Sequence, residues 1–511
     1  MNRENPVFFR ETILERPFWA AIALLVVVRA VLIAHYGVSF EISDRLWQLL
    51  DAEVLRTDTF RSLYFLHAQP PLFNSLFAAS LHMPANLGPL FLQTVYLLSS
   101  MIMVAIFHFF LRRFGYGAIA AAIGAMVFGL LPQVMVYENM FHYAHLEATL
   151  VLCAMYFAAT WLSGHRLGAY VGMACCLVAL ALLRSLFHLG WVAVTLLAIW
   201  YIGRSRIAGQ DRPALVVALA AMAVVTALYA KNLKEFGVFS SSSWQGINMV
   251  SMTLPLRAGD AGAFPAVAED FRGRLARGEF SPAASLAFNA TNFWAGWVPT
   301  AKGCGAEARP VPALCAVNKS NGEENYNNAA IVGYSRALGG DAVHGLRLYP
   351  ALYARRVASS LMTFFGTPSW SYAKPSAVLE TYGNAWNRLL LFQPDRAFSP
   401  ERSHDTGLAL LASRFLSASL PLCVLVLVGA GFIVMIGLVQ GLAYLRGRRP
   451  SADWVFPLLA VALFLVLPNF INGTETDRIR YSIEPLLLLA LARGAILALR
   501  RSRKRRRGGS T

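Results

Sequence analysis

Charge is scarce in this sequence. Only 14% of its 511 residues are Asp, Glu, Lys or Arg, against about 25% in an ordinary soluble protein. With 57% of the chain hydrophobic, polar groups are too few to cover a soluble surface, which excludes a soluble globular enzyme and a disordered chain. Cysteine is scarce as well. Six cysteines, with no C-x-x-C and no His/Cys set at zinc spacing, exclude a disulfide-stapled mini-protein and give no sign of a structural metal. No internal repeat is visible, which weakens an inverted-repeat transporter. Acids are outnumbered: 45 Lys and Arg face 28 Asp and Glu, a net charge of +17. In a soluble chain that excess would suggest nucleic acid. In one this apolar, it raises the question of which side of a bilayer holds the basic loops.

What the sequence has is long apolar runs. A helix needs about 20 mostly apolar residues to cross a membrane. Such runs lie near 18–38, 87–111, 117–136, 143–163, 168–186, 187–202, 213–230, 417–445, 454–472 and 481–499, which predicts an all-α polytopic protein of about ten spans. The boundary between the fifth and sixth runs is the least distinct. The first run follows Arg3, Arg10 and Arg16 but is too long for a signal-peptide core and is expected to remain as an anchor. Basic residues set the topology: Arg500, Arg501, Arg503, Lys504, Arg505, Arg506 and Arg507 place the C-terminal tail in the cytoplasm. Counting back puts Arg446/Arg448/Arg449, Arg204/Arg206/Arg212, Arg166 and Arg112/Arg113 in cytoplasmic loops, with the N-terminus inside. Most of the +17 therefore describes topology, and no nucleic-acid partner is expected.

Two long segments fall outside, 39–86 and about 231–416. The expected organisation is an N-terminal membrane module over 1–230, a mixed extracytoplasmic domain over 231–416, C-terminal spans over 417–499 and a basic tail over 500–511. The amphipathic stretch 346–365 reads equally as a helix on the membrane surface or one packed on the outer domain. Cys304 and Cys315, on an outer face, read as a short disulfide or as two free thiols. Asn289-Ala290-Thr291 and Asn472-Gly473-Thr474 match the glycosylation sequon, a common chance match.

Polar groups at the outer membrane level carry the chemical information, because burying them there is costly. Asp44, Trp47 and Asp51 are spaced i, i+3, i+7 and would share one face of a surface helix. The turn His67-Ala68-Gln69-Pro70-Pro71 follows, its prolines stopping any helix and holding His67 and Gln69 near those carboxylates. Glu138 and His142 lie in a short outer loop, Arg184 lies between the fifth and sixth runs, and Arg478 and Arg480 lie above the last. Two arginines two apart would clamp a phosphate. Trp244, Gln245 and Asn248, entering the large loop, have side chains suited to a carbohydrate. Each also has a plain reading: solvated acids, helix caps, headgroup anchors, domain packing. Arg29, midway along the first run, must face the bundle or snorkel; a buried acid is one candidate partner, and the sequence does not identify it.

Taken together, the early outer acid, the stretch LHAQPPLFN, YENMFHYAHLE, KNLKEFGVFSSSSWQGINM and DRIRYSIEPLL resemble the GT-C superfamily of membrane glycosyltransferases. More narrowly, the chain resembles the bacterial branch related to protein O-mannosyltransferases and the lipid A aminoarabinose transferase (glycosyltransferase family 39-like). The resemblance implies a multi-pass protein of the bacterial cytoplasmic membrane. Its donor would be a polyprenyl-phosphate sugar, its acceptor an extracytoplasmic lipid, protein or glycan, and bilayer lipids its surroundings. It implies Asp44 as general base with Asp51 as the fallback, although the family's Asp-Glu pair is here Asp44-Arg45. It implies His67, Arg184, Arg478 and Arg480 at the donor phosphate; Gln69, Glu138, His142, Trp244 and Asn248 are the candidate substrate contacts. No cofactor is called for, and no convincing D-x-D metal site is present. Two other readings stand beside it: a transporter or flippase of lipid-linked sugars, which would favour charged or broken helices near the midplane, and a ligase or polymerase of similar build, which would not need the early acid.

Overall fold

The computed structural model describes residues 15–43, 46–164, 166–204, 209–256, 264–289, 311–365, 377–391, 420–446, 454–471 and 476–508. Among these residues the chain is α-helical and contains no strand. Two isolated bridges occur, Glu41 with Met140 and Asn318 with Glu324. Each of the ten apolar runs meets a helix: Arg16–Ala34, Leu87–Phe114, Ala118–Gly129 with Pro132–Glu138, Tyr143–Gly164, Leu167–Leu183, Leu189–Gly203, Asp211–Phe236, Leu420–Leu445, Val455–Ile471 and Glu484–Gly508. Four of the described helices are long and apolar enough to cross a membrane, five if the bent third pair is one span. The protein is a multi-pass membrane protein. Its exterior is inverted relative to a soluble fold: on the first helix Arg29 is 4% exposed while Val27 is 55% exposed. Only a surrounding apolar medium makes that arrangement favourable.

The third span is broken. Ala118–Gly129 and Pro132–Glu138 meet at 56°, with Pro132 opening the second piece. A break inside hydrocarbon leaves carbonyls without their helical partners, and each orphan costs several kcal/mol. Here Arg29 donates to the Gly129 carbonyl at 3.1 Å, and the Tyr382 hydroxyl donates to that of Leu130. Arg29 also grips both oxygens of Glu138 at 2.7 Å. Glu138 is the buried acid that pairs with Arg29. It is 1% exposed, and its carboxylate ties the first span to the end of the broken third.

The large outer loop, expected to be mixed, is helical where described. Its core joins Gln245–Thr253, Pro265–Ala276, Pro282–Asn289 and Ala330–Leu348 through Val250, Phe271, Tyr334 and Leu338. Gln245–Thr253 lies so close to Ala330–Leu348 that a Cβ at Gly246 would meet the Ser335 carbonyl at 1.8 Å. The stretch 346–365 breaks at Tyr349. Its second part, Pro350–Phe365, packs on the loop helix and on the Val455–Ile471 span, with Arg356 donating to the carbonyls of Ser251 and Leu254. Cys315 is disulfide-bonded. Cys304 and the Asn472 sequon lie outside the described residues, as do the last two residues of the Asn289 sequon.

Two helices run more than five residues past their expected ends. Asp211–Phe236 extends beyond residue 230. The last helix continues into the basic tail as far as Gly508.

Candidate active site

The first outer loop does not form the expected surface helix through Trp47 and Asp51. Residues 46–50 turn, and a helix starts only at Ala52. Two side chains account for this. Asn74 accepts from the Leu50 amide and donates to the Gln48 carbonyl, spending both on a turn. Asp51 then serves as N-cap, accepting from the Glu53 amide at 3.0 Å, a role its short carboxylate suits. Its oxygens also accept from the Ser320 hydroxyl and amide at 2.6 and 2.8 Å. Asp44 lies outside the described residues.

His67 is buried and fully engaged with the large loop. A carbonyl can only accept, so Nε2 carries the proton given to Asn327 O at 3.0 Å. Nδ1 then accepts from the Ser243 hydroxyl at 2.7 Å. Burial, reinforced by the Lys231 charge, lowers its pKa from 6.5 to about 3. The ring is thus neutral and serves as a pin between the turn and the large loop, not as a free cation for a phosphate. Asn327 completes the pin, accepting from the amides of His67 and Ala68. Gln69 is half-buried beside it.

Arg478 and Arg480 do not act as a pair. They lie on the short helix Thr476–Tyr481, where two residues span about 200° of rotation. Arg480 turns to the Glu484 carboxylate at 2.9 Å and the Phe364 carbonyl at 2.6 Å. Arg478 turns the other way, donating to His142 Nε2 at 3.0 Å and the Tyr143 hydroxyl at 3.1 Å. Burial, then Arg478 and Arg184, hold the His142 pKa well below its usual range, so the ring stays a neutral acceptor.

The partner of Arg478 is Arg184. Its guanidinium lies 4.8 Å from the centre of the Tyr143 ring, and that of Arg478 lies 5.6 Å from it. Glu147, fully buried one turn along from Tyr143, binds Arg184 at 2.9 Å. The sequence reading passed over Glu147 and Tyr143, though a lone acid in an apolar run was a signal of the kind that picked out Arg29. Beneath this group His145 bridges the hydroxyls of Ser100 and Tyr481 at 3.0 Å each.

Arg184 opens onto a cavity of about 630 Å³. One wall is polar, with Ser240, Ser242, Gln245 and Asn248 from the start of the large loop. The other is apolar, with Leu467, Pro468 and Ile471 from the end of the ninth apolar helix. Pro468 interrupts that helix from within, and Asn469 spends its amide on the nearby carbonyls of Leu465 and Phe464 at 2.9 and 3.4 Å. Trp244 does not line the cavity. It packs against Trp47 and Tyr326, with ring centres 5.0 and 5.2 Å away. Among the described residues no three His, Cys, Asp or Glu side chains gather as metal ligands.

No family model matches the chain. No curated protein matches it either. A solved structure similar to it is that of ArnT from Cupriavidus metallidurans in the apo state, 15% identical over 89% of this chain and 77% of that one, with a TM-score of 0.30.

Proposed function

We propose that this protein is an inverting membrane glycosyltransferase of the GT-C type, moving a sugar from a polyprenyl-phosphate donor to an extracytoplasmic acceptor. One observation carries the reading. Arg184 and Arg478, far apart in sequence, both lie against the Tyr143 ring, and Arg184 lines a cavity that is polar on one wall and apolar on the other. A lipid phosphate needs that combination: cations for the charge that grows on the leaving group and an apolar flank for the chain. In this reading Arg184 and Arg478 take the phosphate, while Gln245 and Asn248 face the sugar or acceptor. An acid of the first outer loop takes the proton as the acceptor hydroxyl attacks the anomeric carbon. Asp51 already accepts three hydrogen bonds as cap and anchor, which favours Asp44 as base. The broken third span is a feature a transporter would share, but the deep charge such a protein would use, Arg29, is bound to Glu138.

The test is transfer from a labelled polyprenyl-phosphate sugar in membranes. Asp44→Asn is expected to abolish transfer with donor still bound, and unchanged transfer would remove Asp44 as base. Arg184→Ala and Arg478→Ala are each expected to weaken donor binding by about tenfold or more, the scale of a lost charge-assisted contact. Donor binding unchanged in folded protein would overturn the phosphate assignment.

A further inference from the structure

A second cavity lies at the opposite end of the same helices. The first cavity is reached at the end of Val455–Ile471 and just ahead of Leu189–Gly203, at His188. The second uses the other ends: Val455, Leu458 and Leu459, and Ala198, Tyr201 and Ile202. Gly437 and Gly441 of Leu420–Leu445 form its third side. Its open volume is about 990 Å³, and its lining is apolar apart from Gln440 and the polar ends of Tyr201 and Trp454.

The mouth of this cavity is basic and aromatic. Arg204 is exposed and lies 4.0 Å from the centre of the Tyr201 ring and 5.6 Å from that of Trp200. Arg446, also exposed, follows the Leu420–Leu445 helix. Trp454, which lines the cavity, stacks on Phe114 at 6.0 Å, and the Phe114 carbonyl accepts from Arg493 and Arg500. Trp and Tyr rings gather at the headgroup level of a bilayer, and Arg directs its charge to that level from an apolar stem. An apolar groove with Arg204 over one of its lining rings has the shape and charge of one ligand class.

We infer that this cavity is a binding site for an anionic phospholipid, with an acyl chain along Gly437 and Gly441 and the phosphate on Arg204. The site is separate from the proposed active site and does not depend on its chemistry. Two glycines leave the groove open, and they are not equivalent. A Cβ at Gly437 would meet Leu458 at 2.4 Å, whereas one at Gly441 meets nothing within 4 Å. Gly441→Leu therefore fills the groove without pushing on the helix behind it.

The experiment is native mass spectrometry of the full-length chain in detergent, titrated with phosphatidylglycerol or with phosphatidylcholine of the same chain length. The unmodified protein is expected to retain phosphatidylglycerol in preference to phosphatidylcholine. Arg204→Ala is expected to lower that retention about fivefold, the weight of one interfacial cation, and to erase the preference. Gly441→Leu is expected to lower retention of both lipids. Both variants are expected to melt within a few degrees of the unmodified protein without lipid. Equal retention of the two lipids by the unmodified protein would overturn the inference. So would undiminished phosphatidylglycerol on both folded variants, or displacement of that lipid by polyprenyl phosphate alone.

Discussion

His67 shows how a titratable side chain can be fixed in one form by its surroundings. Its pKa of about 3 lies below the ordinary 6.5. Between those values the unfolded chain binds a proton that the folded chain refuses. Stability is therefore complete above about 6.5 and falls as pH drops through that window, by an amount on the order of a few kcal/mol. In detergent, the melting temperature is expected to fall on going from about pH 7 to about pH 5. His67→Gln, which keeps a donor for Asn327 O, is expected to be less stable at neutral pH but to show a flatter acid limb. An unchanged acid limb would assign the loss to other groups. Little of this was legible beforehand. The prolines marked the turn, but Ser243 and Asn327 lie 176 and 260 residues away in sequence. In the same way, the i, i+3, i+7 pattern around Asp44 and Asp51 signalled a helix until Asn74 claimed the intervening backbone.

At the scale of elements, the broken third span is held by one ion pair. Arg29 and Glu138 are both almost fully buried, so removing either leaves an uncompensated charge, which in buried pairs costs about 3–5 kcal/mol. Arg29→Met and Glu138→Met are each expected to lower the melting temperature and yield sharply, while the double variant recovers most of the loss, as measured by a double-mutant thermal cycle. Additive losses in the double variant would mean that Arg29 acts mainly through the Gly129 carbonyl. The runs themselves were plain in the sequence because about 20 apolar residues have few other fates. The pairing was not, since Arg29 and Glu138 are separated by 109 residues and several acids were equally eligible. The 478/480 pair failed for a local reason: a spacing that would converge in an extended loop diverges on the Thr476–Tyr481 helix.

For the whole molecule, the two cavities define two ends. If the basic loops lie in the cytoplasm, the 630 Å³ cavity faces outward and the 990 Å³ cavity inward. Alkaline phosphatase, active only outside the cytoplasm, is expected to work when fused after residue 340 and to fail when fused after residue 508, with a fluorescent-protein reporter giving the opposite pair. Activity at both points would require an even number of spans between them, so that one of the three apolar helices Leu420–Leu445, Val455–Ile471 and Glu484–Gly508 would have to be re-entrant. Charge distribution alone suggested this arrangement, because loop arginines are free to obey the field of the bilayer. It could not show that the large loop folds back onto the ends of the spans, since that depends on contacts such as Ser360 with Asn469 at 2.8 Å.

The meeting of Arg184 with Arg478 also has a bearing on time. Chains are made from the N-terminus and inserted as they emerge. Tyr143, Glu147 and Arg184 are in place early, while Arg478 belongs to the last helices to be threaded. During synthesis, Arg184 is already paired with Glu147, and the proposed phosphate seat lacks its second cation. A partly made chain would thus wait in the bilayer with the seat half-built, and ligand capture would begin only as translation closes.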